Sequence, residues 1–175
     1  MSIQSIYNIA FKGLSQGKHI FEYEIDTKFF AGFEGGVVDE GNVNVRLTLE
    51  KQSSLMIFWF EIKGTVRAQC DRCLEMFDQK IKSKERIFVK FGEKDYVDGD
   101  DVIWVSVNDY QLNVAQLIYE FICLALPIKK IHPKSKDGSS GCDPEMIAKL
   151  SKYVVKEDEN NSSVWNDLKK LLDND

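Results

Sequence analysis

The stretch VNVRLTLEKQSSLMIFWFEI, residues 43–62, decides the architecture. Val43, Val45, Leu47 and Leu49 alternate with Asn44, Arg46, Thr48 and Glu50. A period of two puts the apolar side chains on one face of an extended chain and the polar ones on the other, as in a half-buried strand. Residues 51–54 are polar and suit a turn. Residues 55–62 are apolar at nearly every position, which predicts a central strand covered on both faces. Two such runs joined by a short polar link read as an antiparallel hairpin.

Working outward, the same alternation recurs. Phe21, Tyr23 and Ile25 alternate with Glu22 and Glu24. Phe29, Phe30 and Phe33 lie in a Gly-flanked stretch that suits a short helix or an irregular aromatic plug. On the C-terminal side, Ile81, Ser83, Glu85, Ile87, Val89 and Phe91 share one strand face, and Lys80, Lys82, Lys84, Arg86 and Lys90 share the other with Phe88. Residues 92–101 form an acidic, Gly-containing loop and residues 102–107 a short strand.

The pattern then changes to the helical period. Asn113 is placed as an N-cap with Gln116 at capping-box spacing. Leu117, Ile118, Phe121, Ile122 and Ala125 form the apolar stripe. Pro127 ends the helix, because proline disfavours helical geometry in the residue before it. Residues 128–141 are polar and basic and read as a loop; residues 144–155 suit a helix. After a hydrophilic linker, Ser163 can cap a helix bearing Val164, Trp165, Leu168, Leu171 and Leu172. The expected fold is therefore α+β: an N-terminal half rich in antiparallel β-sheet, with C-terminal helices packed on it. Residues 1–155 make a single α+β domain, and residues 156–175 a polar linker and an amphipathic helix.

Composition narrows the functional classes. The chain has 175 residues, 43% hydrophobic and 29% charged, the balance of a globular domain. Its net charge of -5 is opposite to that of an overall-basic nucleic-acid binder, so RNA contact requires a local basic face or a protein partner. Residues 1–11 lack the basic start and apolar run of a signal peptide. The most apolar segment, residues 112–126, is too short for a bilayer and carries Glu120. The expected location is the cytoplasm, with no membrane partner.

Four cysteines in such a chain point to metal binding, redox chemistry or core packing before structural disulfides. Cys70-Asp71-Arg72-Cys73 is a C-x-x-C knuckle that can aim two sulfurs at one ion. Zinc takes four ligands in a tetrahedron, and His132 and Cys142, both in the polar loop, can complete the set. Arg67, Arg72, Lys129, Lys130, Lys134 and Lys136 surround these positions in sequence, and nearby cations favour thiolates. Two other readings stand beside this one: free thiols in loops, and a cytosolic thiol-disulfide oxidoreductase using the Cys70/Cys73 pair. Redox chemistry of the thioredoxin type wants its C-x-x-C at a helix start after a βαβ-type strand, whereas a basic β-like run follows here. A catalytic zinc is disfavoured, since four protein ligands leave no open position. Cys123, inside an apolar helix stripe, reads as core. His19 has no partner nearby in sequence. Nucleophile elbows, phosphate loops and clustered carboxylates with histidine are all missing, so neither an enzymatic activity nor a small-molecule substrate is expected.

The chain resembles the YceD family of large-ribosomal-RNA-subunit accumulation proteins. The resemblance rests on Gly64-Thr65-Val66 leading to Cys70-Asp71-Arg72-Cys73-Leu74-Glu75, on Leu124-Ala125-Leu126-Pro127, on His132 and Cys142, and on a short terminal helix around Trp165 and Leu168. It spans roughly residues 40–173. It implies a non-enzymatic role in ribosomal RNA synthesis or processing, or in large-subunit assembly. Carried over residue by residue, the candidate metal site is Cys70, Cys73, His132 and Cys142, here with a long His-to-Cys gap rich in Lys, Ser and Gly. The implied cofactor is a structural Zn2+, and the implied partner is large-subunit ribosomal RNA or a ribosomal protein.

Charge distribution suggests where such a partner would sit. Basic residues dominate residues 63–90, and Lys129, Lys130, Lys134 and Lys136 add a second patch. A metal joining the two segments makes the patches neighbours, with Arg67, Arg72, Lys129, Lys130 and Lys134 as candidate RNA or partner contacts. Such a face suits phosphates, with strong salt dependence; it equally suits an ordinary solvated strand. The acidic loop 93–101 and the acidic tail would repel RNA and suit a basic ribosomal protein.

Overall fold

The computed structural model describes residues 3–33, 35–92, 99, 101–134 and 138–153. The expected linker and terminal helix, residues 156–175, lie outside the described residues, as does most of the acidic loop.

In chain order the elements are β1 (Asn8–Ile9), β2 (Gly17–Ile25), α1 (Thr27–Phe30), β3 (Gly41–Lys51), β4 (Leu55–Gln69), β5 (Met76–Phe91), β6 (Val102–Val105), β7 (Leu112–Asn113), α2 (Ala115–Leu124) and α3 (Pro144–Tyr153). The main sheet has the order β2-β3-β4-β5-β6. Its first three pairings are antiparallel and β5–β6 is parallel. β1 and β7 form a separate two-stranded ribbon. The α+β architecture expected from the sequence is the one observed.

Alternation positions the core. Val43, Val45, Leu47 and Leu49 of β3 are buried, facing the same layer as Met56, Phe58, Phe60 and Ile62 of β4. α2 covers this face with Ile118, Phe121 and Ile122, and the rings of Phe60 and Phe121 meet edge-on at 5.0 Å. The stretch around Phe29 is both a short helix and an aromatic plug. Asp26 caps α1 by accepting from the Lys28 and Phe29 N–H groups, and Phe33 stacks on Tyr119 at 4.2 Å.

Two readings need correction. β4 is central but, among the described residues, covered on one face only: Trp59 remains 42% exposed, while its neighbours Phe58 and Phe60 are fully buried. Apolar residues on both parities suggested double coverage, yet α2 packs on one side alone. The α2 cap is also displaced. Asn113 ends β7, although its Oδ1 still accepts from the Ala115 N–H at 2.9 Å, and Gln116 bonds Glu120 at 2.8 Å instead of closing a capping box. α3 forms where the sequence placed a helix; it buries no residue of its own and packs through Met146 and Ile147 on the satellite cluster that holds Ala68 of β4 and Phe77 of β5.

The feature that builds the site is the length of the β4–β5 hairpin. Its register runs from Leu55↔Lys90 to Gln69↔Met76, whereas β3 reaches only Gly41↔Val66. The hairpin end therefore projects past the sheet as a two-stranded ribbon. β3 and β4 approach closely before that point: a Cβ on Gly64 would lie 2.3 Å from the Asn42 carbonyl oxygen, so only glycine fits.

Candidate metal centre

Cys70 to Cys73 form the turn at the tip of this ribbon. The Cys70 N–H donates to the Glu75 carbonyl and the Leu74 N–H to the Cys70 carbonyl, both at 2.9 Å. Leu74 closes the turn in the left-handed region, at φ 65, and its carbonyl accepts from Gln69 Nε2 at 3.0 Å. The turn carries both sulfurs inward: Cys70 is 0% and Cys73 3% exposed.

The loop after α2 is then fastened to the turn. The Asp71 N–H donates to the Lys130 carbonyl at 2.7 Å, and the Lys130 N–H donates to Asp71 Oδ2 at 2.7 Å. The Lys130 ammonium stands 3.6 Å from the same carboxylate. This lock brings His132 beside Phe77 of β5, with ring centroids 4.6 Å apart. The chain returns through an antiparallel bridge between Lys134 and Ser140. Gly141 passes so close that a Cβ there would meet the Pro133 carbonyl oxygen at 2.6 Å. Cys142 follows, buried, its N–H on Ser140 Oγ at 3.2 Å. Asp143 caps α3 by accepting from the Glu145 and Met146 N–H groups, and Pro144 takes the first helical position, where its missing N–H costs nothing.

The ligand atoms of Cys70, Cys73, His132 and Cys142 all lie within 4.8 Å of one another. Cys70 Sγ and Cys142 Sγ are 3.8 Å apart, and Cys73 Sγ and His132 Nδ1 are 3.4 Å apart. A zinc tetrahedron with bonds of about 2.3 Å to sulfur and about 2.0 Å to nitrogen has edges of about 3.8 Å (S to S) and about 3.5 Å (S to N). The two short separations match those edges, and the four donors lie close enough together to hold one ion. None of the four cysteines is in a disulfide.

The electrostatics also suit an anionic sulfur. Burial pushes the Cys70 thiol up, but N–H groups of Cys73, Arg72 and His132 and the His132 side chain outweigh it and bring it down to about 6. Cys142 goes the other way: burial raises it, helped by the adjacent Cys70 and Cys73 sulfurs, against a hydrogen bond from Ser140. Ala68, Phe77, Ile131, Met146 and Ile147 surround the cluster as a satellite core separate from the main one. A reactive redox thiol needs exposure; both members of the C-x-x-C are buried and sit in a turn, not at a helix start.

The basic candidates divide. Arg67 and Lys130 line one recess with Asp39, Glu40 and Asp71, and each has an acidic partner, Asp78 at 3.1 Å for Arg67 and Asp71 for Lys130. Arg72, Lys129 and Lys134 are exposed. Cys123 packs half-buried against the main core, where burial raises its thiol. His19 Nε2 donates to the Ser15 carbonyl at 2.8 Å, away from the cluster. Sequence reasoning missed Asp71 and Phe77 as the groups that place His132. An Asp inside the C-x-x-C, able to lock a second loop, was the available signal for the first; nothing local marks the second.

These features define an α+β protein whose hairpin-tip knuckle and distal loop converge on a Cys3His cluster of metal-ligand geometry. A sequence model of the family described as "Large ribosomal RNA subunit accumulation protein YceD" matches residues 58–172, a span holding all four cluster residues. The chain belongs to the YceD family. No curated protein and no solved structure matched it. Among the described residues, no helix is long and apolar enough to cross a membrane.

Proposed function

We propose that this protein acts as a non-catalytic factor in large-subunit ribosomal RNA accumulation, with a structural Zn2+ held by Cys70, Cys73, His132 and Cys142. Membership of the YceD family carries the functional part of this reading. The ligand-atom geometry supports the metal part. A bound zinc supplies a cross-link and a charge that neutralises thiolates. The chain's own groups do the remaining work: the Asp71–Lys130 lock orients the loop, Phe77 packs against His132, and Asp143 anchors Cys142 to α3. Four protein ligands leave no open position for substrate, which suits a structural role.

The partner is ribosomal RNA or a ribosomal protein of the large subunit, reached in the cytoplasm. Arg67, Arg72, Lys129, Lys130 and Lys134 form a cationic rim on the segments that the cluster ties together. Because Asp71 and Asp78 partly neutralise Lys130 and Arg67, the exposed Arg72, Lys129 and Lys134 carry more of the expected contact. Sedimentation of cell extracts tests the reading. The protein should travel with large-subunit precursor particles at low salt and leave them at high salt; a protein that stays at the top of the gradient at low salt contradicts it.

A further inference from the structure

Among the described residues nothing covers the sheet face opposite α2, and its composition is uneven. Outward positions of β2 and β3 include Glu22, Glu24 and Glu50, with Lys18 opposite Glu50 and Arg46 held by Glu22 at 2.7 Å. Outward positions of the β4–β5 half are cationic: Lys63 and Arg67 on β4, and Lys80, Lys82, Lys84, Arg86 and Lys90 on β5. Their acidic company on these positions is Glu61, paired to Lys84, and Asp78, paired to Arg67. Among the described residues, Lys63, Lys80 and Lys82 make no salt bridge, and Lys63 stands directly opposite Lys82 in the register. Like charges in that position destabilise a sheet. This half of the face is thus positive on a chain of net charge -5.

The same face carries flat groups. Arg86 lies over Trp59 at 5.3 Å and over Phe88 at 4.6 Å from the ring centroids. Trp104 of β6 follows, with the Lys90 ammonium 5.4 Å from its ring centroid. Trp59 is 42% exposed, with Arg86 over its ring. Aromatic and guanidinium planes beside a cationic track suit unpaired bases on a phosphate backbone. An acidic peptide would match the lysines and leave the planes unused.

We propose that the open face of β4 and β5 is a docking surface for single-stranded RNA, with Trp59, Arg86 and Phe88 as the stacking platform and Lys63, Lys80 and Lys82 as phosphate contacts. This deepens the ribosomal-RNA reading above and rests on it, but places the contact on the sheet and away from the metal-centre rim. The acidic β2 edge confines the strand to a path along β4 and β5.

The test is fluorescence anisotropy with the full chain and a labelled, mixed-sequence single-stranded RNA of about 12 nucleotides. The paired reversal Lys63→Glu with Lys82→Glu should weaken binding more than tenfold at low salt. It should also flatten the slope of log affinity against log salt by about 1.4, the value for two phosphates on a single strand. Trp59→Ala should weaken binding roughly 5- to 100-fold, with circular dichroism confirming that both variants fold. A duplex of the same sequence, or polyglutamate, should bind far more weakly. Unchanged affinity in the sheet variants overturns the proposal, as does tighter binding of the duplex or of polyglutamate. Loss of binding on Lys129→Glu with Lys130→Glu, with none in the sheet variants, would move the contact to the metal-centre rim and keep the ribosomal role. Co-sedimentation with precursors but no RNA binding would sink the sheet proposal alone. Sheet-dependent RNA binding without co-sedimentation would sink the ribosomal role alone.

Discussion

Gly141 shows how narrowly the cluster is built. Its backbone lies against the Pro133 carbonyl, and a Cβ would stand 2.6 Å from that oxygen and 3.2 Å from the His132 Cβ. Gly141→Ala must therefore push apart the segments that carry His132 and Cys142. Zinc affinity, measured by competition with a chromophoric chelator, should fall by about tenfold or more, while main-sheet circular dichroism stays unchanged. In the main core, Tyr23 offers a pH prediction. Burial and the neighbouring Tyr7 push its phenol up to about 12. The folded state thus holds this proton more tightly than the unfolded chain, whose value is about 10. The stability it contributes is complete below pH 10 and is lost as pH rises through 12. Tyr23→Phe should reduce the slope of the alkaline melting-temperature decline across that window and leave the melting temperature at pH 7 nearly unaltered.

At the scale of elements, α3 depends on its cap. It buries no residue, so the Asp143 carboxylate, accepting from the N–H groups of Glu145 and Met146, carries much of its definition. Asp143→Ala should cost about 1 kcal/mol of helix stability, seen as faster amide exchange across residues 144–153 with the sheet unaffected. The strands were the most legible elements, because period-two alternation in β2, β3 and β5 is a local property. β4 was legible as a strand and misread as doubly covered: Ile57 and Trp59 are apolar on the outward parity, and only tertiary structure shows that α2 stops at one face. The parallel β5–β6 pairing had no local signal. Nor had β1 and β7, whose two-residue strands pair Asn8 with Asn113 across most of the chain. The C-x-x-C knuckle was readable from spacing alone. His132 and Cys142 were named with it from the ligand needs of zinc and the family resemblance, whereas the Asp71–Lys130 lock and the long hairpin that bring them together were not read.

The molecule as a whole has two cores of unequal strength. The main one spans the sheet, α1, α2 and the N-terminal segment. The satellite one has Ala68, Cys70, Cys73, Phe77 and Cys142 at its centre, with Ile131, Met146 and Ile147 around them. So few apolar groups give little burial energy, and a metal cross-link is the expected substitute. Chelation should open the satellite core first. Hydrogen exchange after treatment with a strong chelator should rise in residues 70–75 and 128–153 and remain slow in β3 and the sheet portion of β4. Uniform loss of protection would mean that the two cores fold as one unit.

X-ray absorption at the zinc edge, with elemental analysis of the same purified sample, bears most directly on the cluster. The expected result is one zinc per chain, bound to three sulfurs at about 2.3 Å and one nitrogen at about 2.0 Å, with Cys70→Ser abolishing the stoichiometric metal. Protein that purifies without stoichiometric metal, takes up none on adding zinc, and melts at the same temperature with and without chelator would contradict it.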